Sequence, residues 1–193
     1  MSMIKTISDA IDFYNAKDKR HRQVEIIKKK IDCVSEQVTF KNDNYVNALC
    51  LSEVLFNKTE KSLRIITGSD ITLFFDVLRE TINAACNRVK QTKGKLRILM
   101  LNKDKDVDLS QLIEKIKTFG FEDNDILIVP IKPESQLRHY IISDEKHFRI
   151  EEPHGRLLKA DDANSVKADV VFNSPRYATS LARDYDKLFS SLS

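Results

Sequence analysis

Three histidines and a group of carboxylates crowd one stretch of the chain. His139, His147 and His154 follow one another at intervals of eight and seven residues, with Glu151, Glu152, Asp161 and Asp162 close by. Imidazoles and carboxylates are what a transition ion takes as ligands, and an imidazole beside a carboxylate is also the pair that a general base or nucleophile needs. The spacing matches no compact ligand motif, so the expectation for these histidines is a solvated surface, with no metal and no cofactor. Serine, histidine and aspartate can be combined on paper into triads, but neither a Gly-x-Ser-x-Gly elbow nor a glycine-rich phosphate loop is present. Gly68-Ser69-Asp70 could cap a helix and take an anion there, which is a weak signal.

A second cluster is purely electrostatic. Lys17, Lys19, Arg20, Arg22, Lys28, Lys29 and Lys30 face only Asp18 and Glu25 over the same stretch. A helix there presents a basic stripe able to neutralise phosphates of DNA or RNA, or of an anionic membrane. The plainer reading is a solvated helix face, since no aromatic residue lies between Lys17 and Lys30 to stack on bases.

The rest of the composition narrows the class. The chain has 193 residues, 41% of them hydrophobic and 32% charged, with four glycines and four prolines. Such a chain folds, and its length suits one α/β domain with an elaboration rather than two cores. Its net charge of +3 is too small to name a partner. The longest apolar runs, such as Leu96 to Leu101 and Ile126 to Pro130, are too short to cross a bilayer, and the first residues carry charge where an export signal would be apolar. A cytoplasmic protein without a transmembrane segment is expected. Cys33, Cys50 and Cys86 are odd in number and widely spaced, and they read as reduced thiols on buried helical faces.

Residues 1–58 read as a helical N-terminal extension: Ile4, Ile7, Ile11 and Tyr14 keep near-helical spacing, as do Val24, Ile27 and Ile31, and a third helix covers Asn44 to Phe56. Strand character appears there only near Val38 to Phe40. From 59 to 193 the pattern becomes α/β. Leu63 to Thr67 is a buried strand, a helix follows to about Lys90, and Lys95 to Leu101 is the second strand. Leu109 to Phe119 is a helix closed by Gly120, and Ile126 to Ile131 is the third strand. Arg138 to Ser143 and His147 to Glu151 form a hairpin about Asp144-Glu145-Lys146. Ala168 to Phe172 is a further strand, and Arg176 to Leu192 a closing helix with Leu181, Tyr185, Leu188 and Phe189 on its apolar side.

The order LRIITGS, helix, KGKLRILMLN, helix, DILIVPI, hairpin RHYIISDEKHFRIE, ADVVFNSP and final helix resembles a single phospholipase D-like domain over about residues 62–192. The resemblance implies an α/β mixed sheet flanked by helices. It also implies a motif His-x-Lys-x(4)-Asp on the strand that opens the hairpin, followed by a Gly-Ser-x-Asn-type strand. In that family the histidine attacks phosphorus, the lysine binds phosphate, and two domains pair to share a site. With the turn acid at Asp144, the lysine position is His139 and the nucleophile position is Leu137. A register with His139 as nucleophile puts Ile141 at the lysine and Lys146 at the acid. Asn173 fits the later asparagine, with Val171-Phe172 in place of Gly-Ser.

An aliphatic side chain supplies neither the nucleophile nor the cation that phosphoryl transfer through histidine requires. The resemblance therefore implies a degenerate, non-catalytic homodimer that contacts a protein partner or DNA or RNA, with bacterial defence or restriction as the setting the family suggests. A weak phosphodiesterase using His139, Asp144 and Asn173, with His154 in support, is the alternative. A regulatory α/β domain sensing a nucleotide or another anion stays open, because βαβαβ order alone identifies no family.

Overall fold

A computed structural model describes residues 4–68, 72–102, 108–132, 138–152, 154 and 158–192. Seven α-helices, one short 3-10 helix (Asp123–Asp125) and seven strands are defined among them. Helices α1 (Ile7–Asn15), α2 (Lys17–Asp32) and α3 (Tyr45–Asn57) surround strand β1 (Val38–Asn42) in sequence. Then come β2 (Ser62–Gly68), α4 (Thr72–Val77), α5 (Arg79–Gln91), β3 (Lys95–Asn102), α6 (Leu109–Lys117) and β4 (Ile126–Pro130). The hairpin strands are β5 (His139–Ser143) and β6 (His147–Glu151), followed by β7 (Ala168–Phe172) and α7 (Pro175–Leu192).

The helix starts are set by short polar side chains. Thr6 and Asp9 form a reciprocal capping box at α1, Asn44 accepts the Asn47 amide at α3, and Asp108 accepts the Ser110 and Gln111 amides at α6. Gly120 follows α6 with φ of +99°, where a side chain would be strained. The helix expected to run to Lys90 is two helices, because Leu78 leaves helical geometry (φ −97°, ψ 9°) with its side chain fully buried. Ser69 and Asp70, proposed from sequence as a cap, lie outside the described residues.

All seven strands form one mixed sheet in the order β1-β7-β6-β5-β2-β3-β4. β2, β3 and β4 run parallel, while β5, β6, β7 and β1 add antiparallel neighbours beyond β2. The central strands read almost continuously apolar because both faces are covered. Ile65, Ile98, Ile141, Val170 and Phe172 join a core with α1, α2, α3 and α5. Leu99, Leu101, Ile142, Phe148 and Val171 face α7 instead. Burying each such side chain stabilises by about 1.5–3 kcal/mol before chain entropy is set against it.

Some sequence expectations need correction here. α7 buries Ala178, Ala182, Tyr185 and Phe189, whereas Leu188 is 41% exposed, because the buried four keep the spacing of one helical stripe and Leu188 lies about 100° round the helix from Phe189. Cys33 is exposed at the end of α2, while Cys50 and Cys86 are buried. Burial pushes both buried thiols up to about 12, so they stay protonated at neutral pH. β1 is more than a hint of strand: it pairs along its whole length with β7, Val38 opposite Phe172 and Asn42 opposite Ala168.

Candidate functional site

The pleat decides which side chains can meet. β5 and β6 pair antiparallel with His139 opposite Glu151, Ile141 opposite Arg149 and Ser143 opposite His147. Alternation puts these six on one face of the sheet, the face on which Tyr45 of α3 and Phe74 and Phe75 of α4 line a cavity. Directly opposed residues on one face stand about 5 Å apart at Cβ. The register alone therefore brings His139 to Glu151.

The chain beyond β6 returns His154 to the same place. Its Nε2 lies 2.5 Å from Glu151 Oε1, and its ring meets His139 edge-on with centroids 5.1 Å apart. Arg149 Nη1 donates to Glu151 Oε2, and the guanidinium lies over the Phe74 ring at 5.5 Å. Arg149 and Glu151 are both buried. Burial by itself would raise the Glu151 carboxyl, but Arg149, His154 and His139 outweigh it and hold the group down at about 2. Glu151 is thus ionised at any ordinary pH.

The cavity measures about 60 Å³ and is lined by Tyr45, Thr67, Phe74, His139, Arg149, Glu151 and His154 among others. That is room for about two waters, or for one ion with a water. It sits where the parallel strand β2 ends, which is where open α/β sheets place ligands. Arg149 Nε is buried and has no hydrogen-bond partner among the described residues. A donor of that kind is costly to bury unless something accepts from it.

The other end of the same hairpin looks different. Asp144, at φ of +54°, accepts the amides of Glu60, Lys61 and Ser62 at 2.9, 2.7 and 2.9 Å. His147 is buried, and its Nδ1 accepts the Asn173 amide at 3.1 Å. Burial, helped by Lys146 and Lys58, pushes the His147 imidazole down to about 4, so it is neutral. Ser174 Oγ donates to Gln37 Oε1 at 2.7 Å, and Asn173 sits at φ of +57° in this strand-to-helix corner. A strand of five residues separates the two ends by about 16 Å. Of the three residues singled out for catalysis, then, His139 lies in the cavity, while Asp144 and Asn173 lie at the far turn. Leu137 lies outside the described residues, as do Lys103 and Lys105.

The expectation of solvated histidines is corrected for all three. His147 is part of the core, because its face of β6 is covered by helices, and His139 and His154 are half-buried against Glu151. Arg149 was missed. Its signal was available: in HFRIE, strand alternation puts Arg149 on the face of His147 and Glu151, and a charge facing inward needs a partner.

The basic stripe lies on α2. Lys17, Lys19, Arg22, Lys29 and Lys30 are exposed, whereas Arg20 bridges buried Glu53 at 3.0 Å and Lys28 pairs with Glu25 at 3.1 Å. Aromatic rings do reach it from outside the segment: Lys19 Nζ lies 5.3 Å from the Phe13 ring and Lys30 Nζ 4.9 Å from Phe40.

No protein-family model and no curated protein matches the chain. Solved structures do. TrmBL2, an archaeal chromatin protein with a novel mode of DNA binding, superposes with a TM-score of 0.55 at 12% identity, over 93% of this chain and 62% of its own. The chain thus spans less than two thirds of that protein's length. Nuc, a phospholipase D family member from Salmonella typhimurium, gives a TM-score of 0.52 at 16% identity, over 80% of this chain and 95% of its own. At such identities the likeness is one of architecture, and the chain has a phospholipase D-like fold. No helix among the described residues is long and apolar enough to cross a membrane.

Proposed function

We propose that this chain is a nucleic-acid-associated protein that holds phosphate in the cavity at the open end of the β5–β6 hairpin and does not cleave it by histidine phosphoryl transfer. The hairpin register carries the reading. In the alignment that the resemblance gives, with Asp144 as the turn acid, its carboxylate accepting three backbone amides, His139 falls at the phosphate-binding lysine position and Leu137 at the nucleophile position. Leucine cannot attack phosphorus. Around the cavity remain Arg149 and two imidazoles against one carboxylate, and Arg149 Nε, without a hydrogen-bond partner among the described residues, offers a donor to a phosphate oxygen. The exposed cations of α2 would supply sequence-indifferent attraction to the backbone. In the family that the sequence resembles two domains pair to share a site, so the reading includes a homodimer.

The full chain should leave oligonucleotides, simple phosphodiesters and phosphatidylcholine intact, with or without divalent cations. It should bind DNA or RNA weakly, with an affinity that falls steeply as salt rises. Reversing the charge of Lys28, Lys29 and Lys30 together should weaken that binding and flatten its salt slope, and reversing Lys103 and Lys105 should do much less. Light scattering that returns the mass of one 22.3 kDa chain at tens of micromolar would remove the dimer from the reading. One observation favours a second reading: the Glu151 carboxylate orients the His154 imidazole as a general base requires. Turnover abolished by His139→Ala or His154→Ala would overturn the non-catalytic reading in favour of a residual phosphodiesterase.

A further inference from the structure

We propose that His139, Glu151 and His154 form a binding site for one zinc-class divalent transition ion. Their ligand atoms, one from each side chain, all lie within 4.8 Å of one another. Around a tetrahedral ion with bonds near 2.1 Å, neighbouring donors stand about 3.4 Å apart. The His154–Glu151 hydrogen bond at 2.5 Å is shorter than that spacing and the 4.8 Å limit of the cluster is longer, so an ion would replace the hydrogen bond, parting those two atoms and drawing the widest pair together by side-chain rotation.

The backbone has fixed two of the three ligands. His139 and Glu151 are a directly opposed ladder pair, and His154 follows Glu151 by three residues at the end of the strand. The carboxylate is oriented from behind, since Arg149 holds Oε2 and leaves Oε1 toward the histidines. Groups that hold a metal-binding carboxylate or imidazole in this way sharpen ligand geometry and raise affinity. Two nitrogens and one oxygen suit zinc, cobalt or nickel, whereas magnesium and calcium call for oxygen alone. Three protein ligands leave a fourth position open to the cavity, where a water or a phosphate oxygen fits. The assignment of the ion stands on the cluster itself. Only the use of the fourth position for phosphate rests on the nucleic-acid reading.

Metal uptake can be measured with no nucleic acid present, so the two readings fail separately. Full-length protein carrying Cys33→Ser, which removes the exposed thiol, is stripped with a chelator and titrated with zinc against a competing dye. One equivalent per chain is expected, and cobalt should give the visible absorption of a tetrahedral nitrogen and oxygen site. His139→Ala and His154→Ala should each weaken zinc binding at least tenfold, with circular dichroism unchanged. His147→Gln, at the other end of the hairpin, should bind as the parent does. Glu151→Gln should also lose affinity, and the two histidine variants carry the test if that buried change unfolds the chain. Absence of stoichiometric zinc in the parent, or retention of it in the His139→Ala/His154→Ala double variant, would overturn the proposal.

Discussion

The two ends of the β5–β6 hairpin carry nearly the same chemistry and are used differently. At the turn, Asp144, His147 and Asn173 each have a backbone group as their partner, and the imidazole is neutral and enclosed. At the open end, His139, Glu151 and His154 have one another, a buried arginine and a cavity. Residue type does not separate a site from a scaffold here, since both ends hold histidine and carboxylate. What separates them is whether the polar atoms are consumed by the main chain or turned toward space that a ligand can enter.

This contrast can be broken by stability measurements. The largest effect is expected at the turn: Asp144→Ala removes the acceptor for three amides and strains a position at positive φ, which should cost about 3 kcal/mol and lower Tm by roughly 10 °C. Asp144→Asn, which keeps an acceptor oxygen and tolerates the backbone, should cost less than half of that. Chemical denaturation of the two variants beside the parent decides it: a loss for Asp144→Asn as large as for Asp144→Ala would mean that the charge rather than an acceptor oxygen holds the turn, and a negligible loss for both would mean that the side chain does not hold it.

A smaller effect follows from His147. Its imidazole titrates near 6.5 when unfolded and at about 4 when folded. Above pH 6.5 both states are neutral and the contribution is fully present. As pH falls from 6.5 to 5, only the unfolded chain takes up the proton, and stability should drop by about 2 kcal/mol. His147→Gln should remove that slope over this window relative to the parent, and an unchanged slope would place His147 in water instead of the core. The smallest effects belong to the open end. His139→Ala and His154→Ala should each shift stability by less than about 1 kcal/mol, because both rings are half-buried and Arg149 still neutralises Glu151. A loss at the open end as large as that of Asp144→Ala would erase the distinction between scaffold and site.

Much of the sheet was readable in advance because periodicity is a local property. Strands such as Lys95–Asn102 and the hairpin about Asp144 announce themselves within their own residues, and so does Gly120 behind α6. The cavity was not readable in the same way. That His139 meets Glu151 depends on a register, and the register depends on a turn whose geometry is fixed by amides of Glu60 to Ser62, far away in sequence. Motif spacing tied His139 to Asp144 and Asn173, but the strand carries those two to the opposite end. Arg149 was legible in part: alternation puts it on the face of Glu151, but that this face is covered, so that the charge is buried and needs its partner, follows only from the assembled sheet. Exposure of Cys33 likewise turns on where α2 stops, which helix periodicity does not specify.

The pairing of β1 with β7 joins residue 38 to residue 172. On a ribosome adding about 5–20 residues per second, β1 is made roughly 7 to 27 seconds before its partner. For that interval Val38 and Phe40 have no strand to lie against, and the nascent segment is a free edge of the kind that pairs with other chains. Lys41, exposed beside them, is the sort of charge that discourages such pairing. Closure of the sheet is therefore a late event in the life of each molecule, and one that a chaperone or a slower codon near β1 cannot hasten, because it waits on synthesis of the last strand.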